Sequence, residues 1–303
     1  MQSFLEQLVE KHKTAAHEGK LADYIPQLTE QNPLALGITV RTCDGDVYTA
    51  GDCPIQFTLQ SISKVITLIL ALMDQGEDEV FKRVGMEPTG SPFNSIYDLE
   101  VKSPGKPFNP MINSGALVVS SLIQGSTVDE RLERILGLVR DMAENPEIEI
   151  DQAVYHSEGV TGYRNRSMGY FLKEFGIIED VESTLELYFK QCAISVTCDD
   201  LSRMGLCLAR NGKNQAGEQV IPQPLARLVK TFMVTCGMYN ASGEFAILVG
   251  IPAKSGVSGG IMASVPERMG IGVFGPALDE KGNSYAGVRM LRDLSREWNL
   301  SIF

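Results

Sequence analysis

Hydrophobic positions follow two different rhythms along this chain. Near both ends they come in short β-rich runs; through the middle they recur every three to four residues. Residues 34–42 and 47–50 flank Cys43-Asp44-Gly45-Asp46, and Asp-Gly between such runs predicts a hairpin. Toward the far end, the apolar runs 244–251, 260–265 and 269–274 are separated by Gly, Ser and Pro, which predicts an antiparallel meander. Val288, Leu291, Leu294 and Trp298 then mark a closing helix over 284–298. Between these ends, helical spacing predicts helices over 61–74, 116–123, 129–142, 181–192 and 198–211. The fold class that follows is α/β (α+β): one antiparallel sheet built from both chain ends, flanking helices, and an inserted helical domain. Residues 1–303 form a single unit in this reading, with 1–60 and 225–303 as the sheet subdomain and 61–224 as the helical one. The polar stretch 211–224 is the clearest break, and no repeat or low-complexity tract interrupts the pattern.

Composition narrows the function classes. A hydrophobic share of 44% with 21% charged residues is that of a globular domain with a substantial core. The net charge of −11 lacks the basic face that nucleic-acid binding needs. The first thirteen residues are amphipathic and charged, unlike a signal peptide. The longest apolar run, 65–73, is too short to span a bilayer and reads as a buried helix. The six cysteines include no C-x-x-C pair and read as reduced thiols packed like small apolar side chains. No histidine pair lies near them at zinc spacing. The expectation is a cytoplasmic protein with no membrane, nucleic-acid or metal partner.

Two familiar motifs fail on context. Gly256-Val257-Ser258-Gly259-Gly260 fits G-x-S-x-G, but that nucleophile elbow needs a later histidine, and His12, His17 and His156 all precede it. Gly270-Ile271-Gly272-Val273-Phe274-Gly275 fits G-x-G-x-x-G, yet it falls inside a strand-like run followed by Pro276. It therefore reads as close backbone approach within a sheet, not as a dinucleotide loop. His12 and His17 read as surface residues of an N-terminal helix, and His156 as a structural histidine.

A serine nucleophile without histidine needs another base, and a lysine serves if burial lowers its pKa. S-x-x-K on a helix supplies the pair, since residues three apart share a face. Ser103-Pro104-Gly105-Lys106 has the letters but not the helix, because of its Pro and Gly. Ser61-Ile62-Ser63-Lys64 opens the strongly apolar helix instead, where first-turn N–H groups and the dipole favour negative charge. Lys254-Ser255-Gly256 is a K-[ST]-G placed at the end of the strand predicted over 244–251, and the two motifs together mark penicillin-recognising enzymes.

Over about residues 20–300 the chain resembles the serine-dependent glutaminase family, whose fold is β-lactamase-like. The resemblance is carried by Asp23-Tyr24-Ile25-Pro26-Gln27-Leu28, Gln60-Ser61-Ile62-Ser63-Lys64, Asn109 to Ala116, Ser157-Glu158, Asn165-Arg166, Tyr188-Phe189, Gln191-Cys192, Cys236 to Tyr239 and Pro252 to Gly260. It implies a single catalytic unit in which Ser61 is the nucleophile, Lys64 its base and Tyr239 a second proton carrier. The backbone N–H groups of Ser61 and Val257 would form an oxyanion hole. Glu158 would hold the α-ammonium of L-glutamine, and Tyr24, Asn113, Asn165 and Tyr188 its other polar groups. The resemblance implies no metal or organic cofactor, and a homo-oligomer, tetramer or dimer. A β-lactamase or peptidase on the same scaffold is the alternative enzyme, disfavoured by the missing S-D-N; a silent binding module is the non-enzymatic one.

Overall fold

The structure, a computed structural model, describes residues 1–102 and 105–303. The first part of the chain runs α1 (Gln2–Lys13), β1 (Gly37–Thr42), β2 (Val47–Gly51), β3 (Phe57–Thr58), α2 (Ser63–Gln75), α3 (Glu77–Arg83), α4 (Asn113–Ser121) and α5 (Val128–Ala143). It continues with α6 (Gln152–Thr161), α7 (Tyr163–Glu174), α8 (Val181–Cys192), β4 (Ser195–Val196), α9 (Cys198–Ala209) and α10 (Gln223–Cys236). The last part is α11 (Ser242–Leu248), β5 (Ala253–Ser255), β6 (Gly260–Val265), β7 (Met269–Phe274) and α12 (Tyr285–Trp298).

Both chain ends meet in one antiparallel sheet of order β2-β1-β7-β6-β5. The β1–β2 hairpin turns at the predicted Asp-Gly, with Arg41 opposite Val47. Its β1 edge pairs with β7, Gly37 opposite Phe274 and Thr42 opposite Met269. Alternation then assigns the faces. Met269, Ile271 and Val273 join Ile38, Val40 and Ile261 under α1 and α12, against Leu5, Leu8, Met290 and Leu294. Gly270 and Gly272 face α9 on the other side. A Cβ on Gly270 would lie 2.0 Å from the Leu206 nitrogen, and one on Gly272 would lie 2.1 Å from the Cys198 oxygen. The G-x-G-x-x-G letters are thus a bed for a helix, as the strand context predicts. Beyond α9 a second, larger core joins α2, α4, α5, α8 and α10. The apolar run over 65–73 lies in α2, mostly buried. Among the described residues no helix is long and apolar enough to cross a membrane.

Three expectations are corrected. Residues 244–251 are not a strand; Ser242–Leu248 is helix α11, and the sheet edge is Ala253–Ser255. A short apolar run cannot be assigned by periodicity alone. Here the Ser242 hydroxyl accepts from the Met238 N–H and donates to the Tyr239 carbonyl, which fixes a helix start. Phe245 is buried while Ile247 is left 86% exposed, which only a helical period permits. His12 is also not at the surface. It extends the stripe Leu5, Leu8, Val9 on α1 and bonds Asp293 of α12 at 2.8 Å. His17 is exposed, as expected; His156, expected to be a structural histidine, is exposed as well, and its side chain has no hydrogen bond among the described residues. The cysteines are free thiols, all buried except the half-buried Cys43. Of the rejected Ser103-Pro104-Gly105-Lys106, Ser103 and Pro104 lie outside the described residues.

Candidate active site

Ser61 lies on a 3₁₀ turn, Gln60–Ile62, that leads into α2, one turn before the α-helix proper. The turn is reached through Gln60 in the left-handed region, at φ 47°. Such backbone strain in a residue with a side chain persists only where the surroundings fix it. They do so here through β3, which pairs with β4, and through the Leu59 N–H donating to the Ile194 carbonyl at 2.8 Å. On the other side the β5–β6 turn closes on the same spot. A Cβ on Gly256 would lie 2.5 Å from the Leu59 carbonyl oxygen, so only glycine brings Val257 this near to Ser61. Ser258, the middle of the rejected elbow, donates to the Thr58 carbonyl at 2.6 Å and serves as a buried brace. Among the described residues neither the Ser61 nor the Val257 N–H has a main-chain or side-chain acceptor.

Lys64 is fully buried on α2 and donates to Ser61 Oγ at 3.0 Å and to Asn113 Oδ1 at 2.6 Å. Both partners are neutral, so burial brings its pKa down to about 8. Asn113, at the start of α4, passes the network on by donating from Nδ2 to Asn165 Oδ1 of α7 at 3.0 Å. Glu158 of α6 is buried, and lack of solvent pushes its carboxyl up to about 8 against the pull of Gln60 and Lys64. Gln60 Nε2 donates to Glu158 Oε2 at 3.5 Å. Tyr188 is buried on α8 with its pKa pushed up by that burial.

Tyr239 also sits in the left-handed region, at φ 54°. Its ring packs on Phe93 at 4.5 Å, and its hydroxyl donates to the Ser255 carbonyl at 3.1 Å. A depressed pKa, the condition for tyrosine to act as a resting base, is not met: burial pushes it up, with only a smaller downward pull from Ser61. Tyr24 is half exposed and lines a cleft of about 760 Å³ together with Phe93 and Val257. The predicted site residues therefore converge from α2, α4, α6, α7, α8 and the Tyr239 and Val257 turns.

This constellation is the setting for the comparison with known proteins. A family model described as Glutaminase matches residues 19–303. The chain belongs to the glutaminase family. A family member from Geobacillus kaustophilus is 59% identical, over 100% of this chain and 98% of that one. Another, from Alkaliphilus metalliredigens, is 56% identical over 100% of both chains. A Bacillus subtilis glutaminase, solved as a covalent complex with 5-oxo-L-norleucine formed by reaction with 6-diazo-5-oxo-L-norleucine, superposes with a TM-score of 0.91 at 44% identity. That match covers 100% of this chain and 99% of the other. The family resemblance seen in the motifs thus extends through the fold.

Motif reading alone gave Gln60, Phe93 and Cys192 no role. Gln60 and Cys192 stand inside quoted motifs, but nothing in the letters told that one touches Glu158 and the other lies among Glu158, Lys64 and Tyr188. Phe93 carries no signal, since an aromatic in a loop is ordinarily packing.

Proposed function

We propose that this protein hydrolyses L-glutamine to L-glutamate and ammonia, with Ser61 as nucleophile and Lys64 as the base that prepares it. The observation carrying this is the 3.0 Å contact between Lys64 Nζ and Ser61 Oγ, made by a buried lysine whose hydrogen-bond partners are neutral. Once Nζ has lost its proton, the same contact conducts the Ser61 proton the other way. Oγ then attacks the side-chain amide carbon of glutamine. The resulting oxyanion falls to the Ser61 and Val257 N–H groups, and one such donor is typically worth about 3 kcal/mol in the transition state. Collapse expels ammonia, which takes its proton from Lys64 or through Tyr239, and leaves a γ-glutamyl ester on Ser61. Water, deprotonated in turn, splits the ester and restores the serine. Because burial keeps Tyr239 protonated, it suits proton delivery better than proton abstraction, which supports Lys64 as the base.

The α-ammonium of the substrate suits Glu158, a buried carboxylate without a cation of its own in contact. Asn113, Asn165, Tyr188 and Tyr24 offer neutral partners to the remaining polar groups, with no metal or cofactor in the scheme. We also propose a sheet unit, 1–60 with 225–303, and a helical unit, 61–224; the core beneath α1 and α12 supports the first, although α10, within 225–303, packs into the core of the helical unit. Family membership likewise supports our proposals of a homo-oligomer and a cytoplasmic setting.

Ammonia release from L-glutamine by the purified protein tests the proposal, and no release at any substrate concentration would refute it. Two further outcomes are expected. Glu158→Gln should raise KM by roughly 30-fold or more, the loss of about 2 kcal/mol for a broken charge pair, with a smaller effect on kcat. An equal KM for wild type and variant would remove Glu158 from the ammonium site. The second concerns pH. Lys64 and Glu158 must both be unprotonated in the free enzyme, so kcat/KM should climb with pH and level off above about 8. A profile flat from pH 6 to 9 would contradict this.

A further inference from the structure

Lys254 is the second fully buried lysine of the site, and the scheme above leaves it idle. It stands on β5, opposite Met262, with Ala253 before it turned into the core beneath the sheet. Lys254 points the other way, where the titratable groups around it are Lys64 from α2, Cys236 from α10 and Cys192 from α8. No carboxylate is among them. Its Nζ donates to the Ser255 carbonyl at 2.6 Å and stands 4.4 Å from the centroid of the Tyr239 ring. The Tyr239 hydroxyl donates to that same Ser255 carbonyl at 3.1 Å. One carbonyl oxygen, with two lone pairs, thus holds the ends of both side chains.

Apart from these contacts the tyrosine is held by its backbone and by apolar packing in a small cluster that includes Val257 and Leu278, which fixes the ring but supplies no hydrogen bond to the hydroxyl. The Ser255 N–H donates to the Gly237 carbonyl at 3.1 Å, pinning the Tyr239 turn to β5. Phe93 covers one face of the phenol. Lys254 Nζ lies over the phenol as well, so the ring is confined by a phenyl group and an amine. An apolar side chain of equal length would fill this space without the cost of burying an amine. What the lysine adds is a donor aimed at the Ser255 oxygen and an N–H directed at the ring.

We propose that Lys254 is a positioning residue for proton transfer, holding the Tyr239 hydroxyl beside Ser61 by sharing the Ser255 carbonyl with it and confining its ring. The proposal rests on the reading of Tyr239 as a proton carrier. Burial and the neighbouring Lys64 push the Lys254 pKa well below the ordinary lysine range, which favours its neutral, donating form. A cation held there would oppose the positive charge that Lys64 acquires on taking the serine proton.

The test is a double-mutant cycle on steady-state glutamine hydrolysis with Lys254→Met, Tyr239→Phe and the double variant. Lys254→Met is expected to lower kcat about 10- to 100-fold, part of the 10²–10⁴ that a positioned proton carrier supplies, with KM within about threefold of wild type. In the Tyr239→Phe background the same change should alter kcat by less than about twofold, because its target is gone. A merely structural lysine would give the same factor in both backgrounds, and that result overturns the proposal. So does a Lys254→Met enzyme with wild-type kcat. Should Lys254→Met fail to fold, Lys254→Gln replaces it in the cycle, since it keeps a shorter N–H donor. Whatever kcat it loses must again vanish in the Tyr239→Phe background, and a loss equal in both backgrounds overturns the proposal. Wild-type kcat in the Gln variant is rescue by the retained N–H donor and supports it. Tyr239→Phe alone separates the two readings. With wild-type kcat it removes Tyr239 as proton carrier; strongly impaired beside an unimpaired Lys254→Met, it removes only the role of Lys254.

Discussion

Ser61→Ala should lower kcat for L-glutamine by roughly 10⁴-fold or more while leaving the amino acid bound. The size follows from losing the proposed covalent route: Ser61 Oγ is the hydroxyl that Lys64 contacts, and the residual rate would come from binding and the oxyanion donors. Binding survives because its proposed partners, Glu158, Asn113, Asn165 and Tyr188, hang on separate helices and do not depend on Oγ. Calorimetric titration of the variant with L-glutamine should therefore give a dissociation constant close to the wild-type KM. Mass spectrometry gives the sharper readout. The wild type should gain a single covalent adduct from 6-diazo-5-oxo-L-norleucine, and Ser61→Ala none. An adduct on the variant would place the nucleophile elsewhere.

Lys64→Met should cost nearly as much, roughly 10²–10⁴-fold in kcat, because the serine would lose its proposed base. Combined with Ser61→Ala it should do no further harm, since the two groups act as one unit. Substantial retained activity would transfer the base role to Tyr239. The same change should make the protein harder to melt. In the folded chain Lys64 binds its proton with a pKa near 8, against 10.5 when exposed. Folding at neutral pH therefore works against a buried charge, and stability rises as pH climbs from about 8 toward 10.5. Methionine abolishes this cost, so at pH 7 the dead variant should be more stable by on the order of 1–3 kcal/mol. Its melting temperature should also lose the upward trend above pH 8. A variant that melts well below wild type would mean that Lys64 contributes more to packing than it costs by burial.

The parts of this molecule that sequence made legible are those in which one residue type has a single physical use. Asp44-Gly45 fixed the hairpin, and the glycines of β7 read as close approach because Pro276 barred a helix. The contact between Ser61 and Lys64 could be expected from their spacing, and the other proposed site residues only from long ordered motifs shared with a family. Illegible were the features set by partners far along the chain. The run 244–251 has no period of its own, and its state was decided by Ser242 capping a turn and by Gly250 at φ 73° ending it. His12 completed an apolar stripe, but only Asp293 on α12 makes a buried histidine tolerable there. The pairing of Gln60 with Glu158 bridges 98 positions, and no local pattern announces it.

The sheet order has a consequence for biosynthesis. Strand β1 finds its central partner, β7, only after more than two hundred further residues have been made, and until then one edge of the β1–β2 hairpin is bare. The helical core can gather during that wait, yet Val257 and the turn that carries it are still inside the ribosome or unpaired. A nascent chain is thus enzymatically silent until almost all of it has emerged. The waiting edge, with Ile38 and Val40 exposed beside it, is where a stalled chain would aggregate or recruit a chaperone. Ribosome-bound chains arrested before β7 should accordingly be far more protease-sensitive around residues 37–51 than released protein.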